Sequence, residues 1–232
     1  MNASGPHSLP SAETKAATVE AMFDRIAPRY DRLNRLLTFR LDVAWRRSSI
    51  RTLRLQPGAT VLDLACGTGD FCNDIARAGY MPFGFDFSAG MLHAASTPAP
   101  LVRADVLVLP VADRTADAIT CGFALRNLTA LEPFFAECAR AVKPGGQIVL
   151  LDVGEPQSRL LRFGHTIYFR KIVPFIGGLL SDRKAYSYLP ASTAYLPTPE
   201  ILTEMVRAAG FVDVRHRKFL FGAAQLIVGT RV

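Results

Sequence analysis

Residues 61–71, VLDLACGTGDF, run from an apolar stretch straight into two closely spaced glycines flanked by acids. Val61, Leu62 and Leu64 read as a buried strand, and the DFCNDIARAG that follows reads as a helix closed by Gly79. The segment is therefore strand, tight loop and helix, and what the loop holds decides what the protein does. A dinucleotide fingerprint, G-x-G-x-x-G, needs its third glycine where helix and strand pack closely. Counted from Gly67, that position is Cys72. Asp63 inside the strand and Asp70 at the start of the helix flank the loop. A helix N-terminus attracts phosphate; Asp70 at its mouth would repel one and favour a cation. Asp86 ends the next apolar run, 17 residues past Gly69, where a carboxylate can accept both hydroxyls of a ribose. A ribose, no phosphate and a positive centre describe S-adenosyl-L-methionine.

Outward from this segment, short apolar runs alternate with helical stretches. MPFGFDF, APLVRA, ADAITCGF and QIVLLDV read as strands; SAGMLHAAS, capped by Ser88, and ALEPFFAECARAV read as helices, with KPGG turning the chain between the last helix and strand. TPEILTEMVRAAGF is a further helix, with Pro199 in its first turn and Gly210 at its end, and two strands follow it. The alternation predicts an α/β fold, a doubly wound, mostly parallel sheet, with ligands bound beyond the carboxyl ends of its strands. Ahead of it, residues 13 to 54 read as three helical stretches, with Asp42 as an N-cap. The expected organisation is a flexible tail (1–15) and one domain (16–232). Within the domain, 16–56 is a helical cap, 57–155 the cofactor-binding core, 156–198 an acceptor lid, and 199–232 the final helix and strands.

Half of the 232 residues are hydrophobic and a fifth charged, which suits a globular chain with one large core. The four cysteines lie scattered in apolar segments without a C-x-x-C pair, which argues against a disulfide framework or a zinc site and fits a reducing cytoplasm. No run reaches the roughly 18 apolar residues of a spanning helix. The formal charge of +7 suits an anionic partner, but no nucleic-acid signature accompanies it, so nucleic acid is not expected.

LDLACGTGD, the acid in GFDFS and KPGG resemble the class I S-adenosylmethionine-dependent methyltransferases over residues 57 to 152. FDRIAPRYDRLNRLLTFRLDVAWRR (23–47), FALRNL (123–128) and AYSYLPAS (185–192) look like the UbiE/COQ5 family, a likeness that runs from about Met22 to the C-terminus. Thr38 and Asp42 stand where that family has serine and histidine, Gly122 replaces a serine, and Asp152 stands where glutamate is usual. The resemblance implies a Rossmann-like fold and methylation of a ring carbon on a prenylated quinol. Demethylmenaquinol to menaquinol is the first reading and another small phenolic acceptor the alternative.

The resemblance places Arg126 beside the ring hydroxyl, acting through a water, with Asn127 completing the polar wall. A guanidinium stays charged and can orient an oxygen by two donors. The competing reading has Arg126 pairing with an acid such as Asp86 or Asp105. The cofactor set is Asp63, Gly67, Thr68 and Gly69 from the loop, Asp86 and Phe87 for the ribose, Asp105 and Val106 beside the adenine, the Gly122 backbone, and Tyr30 and Asn34 closing over it. No metal ligand set is expected. Residues 159–184 interleave Arg159, Arg162, Arg170, Lys171, Arg183 and Lys184 with apolar groups, which suits peripheral contact with an anionic membrane, at its cytoplasmic face. A second copy of the chain is the other partner considered, as a homodimer.

Overall fold

Strands rich in Val, Ile, Leu and Phe on both faces can be stable only when helices cover both sides of the sheet. The computed structural model describes residues 12–154, 156, 158, 163, 164, 166–173, 175, 178, 182, 185, 188 and 191–232. It contains one sheet of seven strands: β1 (Thr60–Leu64), β2 (Met81–Asp86), β3 (Leu101–Arg103), β4 (Ala116–Gly122), β5 (Val142–Val153), β6 (Phe211–Phe219) and β7 (Ala224–Arg231). Their spatial order is β3-β2-β1-β4-β5-β7-β6. The first five strands are joined by parallel pairings, and β7 runs antiparallel to both β5 and β6. The doubly wound, mostly parallel sheet is as expected. Order reverses between β1 and β4, so the crevice for a ligand opens beyond Leu64 and Gly122.

Alternation along the strands sorts the core into two layers. Leu62, Leu64, Ile148 and Leu150 face the helices α5 (Leu131–Ala141) and α6 (Pro199–Ala208), among Phe134, Phe135, Leu202 and Val206. Val61, Val149 and Leu151 face the opposite way, onto Ile50 of α2 (Leu41–Ile50) and Phe71 and Ile75 of α3 (Asp70–Arg77). Each such side chain removed from water contributes about 1.5–3 kcal/mol.

The N-terminal cap has two helices rather than three. α1 (Ala12–Leu37) continues through Pro28, although an interior proline costs a helix about 3 kcal/mol. The offset is an apolar stripe, Met22, Ile26, Leu33 and Leu37, buried against Met91 of α4 (Ala89–His93) and against Val173 and Ala185. Asp42 is not an N-cap. Arg40 takes that position in a left-handed conformation with no side-chain cap, and Asp42 lies buried inside the first turn, paired with Arg46 at 2.8 Å. KPGG is likewise no separate turn. β5 begins at Val142 and absorbs it as a bulge, Val142 pairing with Ala116 and Gln147 with Ala118. Pro144 has no N–H to give the ladder, which suits it to a bulge.

Of the basic residues expected at a membrane, Arg159, Arg162, Arg183 and Lys184 lie outside the described residues; only the side chain of Lys171 is described. Among the described residues no helix is long and apolar enough to cross a membrane.

Candidate active site

The glycine loop leaves β1 through Ala65, whose φ of 53° costs a side chain with a Cβ about 1–2 kcal/mol. Phe123 leaves β4 in the same conformation, at φ 59°. Strain of this kind at the ends of the two strands flanking the switch point is local and must be offset by packing elsewhere. Gly67 (φ 55°) faces open space, while a Cβ on Gly69 would stand 2.4 Å from Thr97. The loop amides are already engaged. Gly67 N–H donates to Asp86 Oδ2 at 2.7 Å, and Gly69 N–H to the Cys66 carbonyl at 3.0 Å. Amides spent in this way cannot cradle a pyrophosphate, which needs them free. Asp86, also accepting from Ser88 N–H at 2.8 Å, is held rigid with lone pairs to spare.

Asp70 plays a different part from the one its position suggested. Arg35 reaches it at 2.8 Å and Arg46 at 2.9 Å, and Arg46 also holds Asp42 and Asp74. Its charge is compensated inside this network, so it exerts little pull on a cationic ligand. Asp63 is also engaged, accepting from Thr120 Oγ1 at 2.7 Å and from the Cys72 thiol at 3.4 Å. Burial pushes its carboxyl up to about 7.

Two cavities meet at this loop. The smaller, about 140 Å³, brings together Asp86, Phe87, Asp105, Val106 and Asn127 under α1 residues such as Phe23. The larger, about 550 Å³, is lined by Asn34, Asp63, Thr68 and Arg126, with Trp45 in its wall. Tyr30, Gly67, Gly122 and Phe123 border both. Gly122 fits because any Cβ would stand 2.5 Å from the Phe71 ring. Of the expected site residues only Gly69 borders neither cavity; it serves the turn and the contact with Thr97.

α1 closes the smaller cavity like a strap. Lys15 donates to the Leu128 carbonyl at 2.5 Å, Glu20 pairs with Arg103 at 2.7 Å, and Asp24 accepts from Ser88 and from Gly90 N–H. Further along, Thr68 Oγ1 donates to Asp31 at 2.5 Å.

Arg126 is fixed by the short turn Leu125–Asn127 after β4. Its Nη1 donates to the Phe123 carbonyl at 2.8 Å and to Asp152 Oδ1 at 2.5 Å. It does pair with an acid, but with Asp152 rather than Asp86 or Asp105. Both side chains are nearly sealed from water, at 6% and 1% exposure. Yet among the described residues Arg126 Nε, Asp152 Oδ2, Asn127 Oδ1 and the Tyr188 hydroxyl are buried without a hydrogen-bond partner. Tyr188 feels the Arg126 charge, although burial pushes its phenol up to about 12. Buried polar atoms are rarely left unmatched, and an unmatched Nε on a guanidinium that borders the larger cavity marks a place built to receive a polar atom of something else.

A family model, the ubiE/COQ5 methyltransferase family, matches residues 11–231. The chain belongs to that family. It is similar to the demethylmenaquinone methyltransferase of Roseiflexus castenholzii, 40% identical over 96% of this chain and 97% of that protein. It is also similar to the ubiquinone/menaquinone biosynthesis C-methyltransferase UbiE of Geobacter sulfurreducens, 38% identical over 94% and 90%. Among solved structures it superposes on a Haemonchus contortus phosphoethanolamine N-methyltransferase in complex with S-adenosyl-L-methionine, with a TM-score of 0.60 and 13% identity over 97% of this chain and 60% of that one. The [4+2]-cyclase SpnF gives a TM-score of 0.67 and 15% identity over 93% and 96%. Likeness at that identity carries the fold alone, and a cyclase among the neighbours illustrates why. As a ubiE/COQ5 family member the chain is a methyltransferase and S-adenosyl-L-methionine its cofactor. The paired cavities, the anchored Asp86 carboxylate and the cradle above Gly67 fit that group.

Several residues that shape the site escaped the sequence reading. Asp31 carries a signal in hindsight, one residue from Tyr30 on the same helix. Trp45, Phe123 and Asp152 lie in or beside stretches that resemble the family, but only the folded sheet brings Trp45 and Phe123 to the larger cavity and Asp152 to Arg126.

Proposed function

We propose that this ubiE/COQ5 family methyltransferase transfers the methyl group to a ring carbon of a prenylated quinol, demethylmenaquinol to menaquinol in the first instance. The names of its relatives and one observation support the reading: a large, mostly apolar cavity joins a smaller one that holds the Asp86 and Asp105 carboxylates, at Gly67 and Gly122, with Arg126 at the wall of the larger. When bound, S-adenosyl-L-methionine supplies a sulfonium methyl, an electrophile already activated. Asp86 accepts the ribose hydroxyls, Phe87 lies beside them, and Asp105 and Val106 bind the adenine edge and face. Tyr30, Asn34, Asp63, Thr68 and the loop backbone line the amino-acid end.

The acceptor must be made nucleophilic. A phenol ordinarily ionises near pH 10, so a neutral quinol ring carbon attacks poorly. Arg126, permanently charged and with Nε unmatched, stabilises the developing phenolate directly or through a water, and Asn127, next to it on the turn but bordering the smaller cavity, completes the polar wall on the cofactor side. The phenol proton would pass to water. The ring carbon would gain the methyl as the sulfur–methyl bond breaks and its electron pair leaves with the neutral thioether. The ring-carbon proton would then pass to water as the phenolic oxygen is reprotonated; the rest of the gain comes from holding the two reactants in line. The cap 16–56 closes over the cofactor and the core 57–155 holds it; much of the lid expected at 156–198 lies outside the described residues.

A tailed acceptor resides in lipid, so the reading places the enzyme in the cytoplasm at the membrane's inner face. The test is incubation with methyl-labelled cofactor and a panel of quinols and simple phenols, followed by mass analysis of the labelled position. Label on a ring carbon of the tailed naphthoquinol is expected. Label confined to phenolic oxygens, or to untailed phenols, overturns the proposal.

A further inference from the structure

Large apolar side chains are not exposed at random on this molecule. Phe39, in the turn between α1 and α2, is 75% exposed; Leu220 and Phe221, in the turn between β6 and β7, are 53% and 73% exposed. All three border the larger cavity at its mouth. Phe163 and Phe175, exposed as well, are neighbours in the chain of the cavity-lining Gly164 and near-neighbours of Val173. Large exposed apolar side chains gathered at the border of one cavity mark an interaction site. Phe39, Leu220 and Phe221 also hold left-handed backbone, at φ 52°, 42° and 56°, so both turns keep bulky groups outward against their own conformational preference.

The mouth has a path inward. Phe219, next to Leu220, stacks on Trp45 with ring centroids 6.4 Å apart, and Trp45 tilts against Phe123 at 6.5 Å, three residues before Arg126. The exposed charges next to these tips in the chain share one sign, and of the acids that line the cavity Asp31, Asp42 and Asp70 are paired with Arg35 or Arg46. Arg40 adjoins Phe39, and Arg217 and Lys218 precede the second turn, all exposed, while no acid lies within two residues of Phe39, Leu220 or Phe221. Apolar tips with exposed cations beside them in the chain suit an anionic lipid surface better than a protein groove.

We infer that Phe39 and Leu220–Phe221 are the bilayer-inserting rim of the larger cavity, docking on anionic lipid so that a tailed acceptor passes from the membrane straight into the site. This rests on the reading of the acceptor as a lipid-borne quinol, and it moves the main insertion points from residues 159–184 to these two turns.

Two measurements test it. Hydrogen exchange on the wild-type chain, with and without vesicles of phosphatidylglycerol and phosphatidylcholine, should slow at 38–41 and 219–222; unchanged exchange there overturns the inference. The double variant Phe39→Ser, Phe221→Ser should co-sediment with the same vesicles at least ~10-fold less than wild type at low salt. Its ratio of turnover on vesicle-borne to short-tailed soluble quinol should fall by a similar factor. Vesicle binding equal to wild type, or an unchanged ratio, also overturns it. A wild type that binds vesicles through these turns but methylates neither quinol would refute the proposed function and leave the rim standing.

Discussion

Arg126 and Asp152 form an ion pair almost out of reach of water, and such a pair is costly to break from one side, on the order of 3–5 kcal/mol. Asp152 also spends its Oδ1 on Val153 N–H at 2.7 Å, so it holds the guanidinium against the end of β5. Arg126→Lys keeps the charge and loses the fork; turnover should drop about 100-fold, in the range seen when one electrostatic stabiliser is removed, while cofactor affinity measured by calorimetry stays within about threefold. An undiminished rate would remove Arg126 from the chemistry. Asp86→Asn tests the other cavity. It deprives Gly67 N–H and Ser88 N–H of a charged acceptor as well as any ribose, and charge-assisted hydrogen bonds of this kind correspond to a loss of about 10- to 100-fold in cofactor affinity. Asp86 could be picked out from the sequence because its place depends on strand order alone. Asp152 could not be matched to Arg126, since 26 residues and a strand pairing separate them.

Elements with a clean period were legible: β1, β2, β4, α3 and α6 fall where apolar runs and punctuating glycines put them. The errors fell where tertiary contacts outweighed local signals. α1 runs through Pro28 because its stripe is buried, and Arg40 rather than Asp42 starts α2 because Arg46 draws Asp42 inward. The strap made by α1 depends on close approach to α4. A Cβ on Gly90 would stand 2.7 Å from the Asp24 Cα, which is backbone and cannot swing aside. Gly90→Ala should therefore lift this part of α1, at a cost of about 1–3 kcal/mol in stability. Hydrogen exchange should quicken around Lys15 to Asp24, and cofactor affinity should weaken with it. Weakened affinity with α1 exchange unaltered would separate the strap from cofactor retention.

Across the whole molecule, buried carboxyls near the loop impose a pH dependence. Burial raises Asp63, Asp70 and Asp86 alike, Asp63 from 3.8 to about 7. The folded state then binds more protons than the unfolded chain above the ordinary carboxylate range, so each group makes stability fall as pH rises, and for Asp63 that fall runs from about 4 to about 7. For Asp63 alone the drop has an upper limit of about 4 kcal/mol. Urea midpoints of Asp63→Asn against pH should show a shallower fall than wild type across that window; an identical slope would mean that Asp63 ionises freely in the folded protein. The positive balance, +7 overall, was legible from composition, whereas its clustering at one mouth depends on two turns far apart in the chain. The chain's single tryptophan has a practical consequence. Trp45 stands in the wall of the larger cavity and is not part of the smaller one. Its ultraviolet emission is an intrinsic optical gauge that will register an aromatic guest arriving beside it and stay nearly silent to the nucleoside, so the two occupancies can be titrated apart without any attached dye.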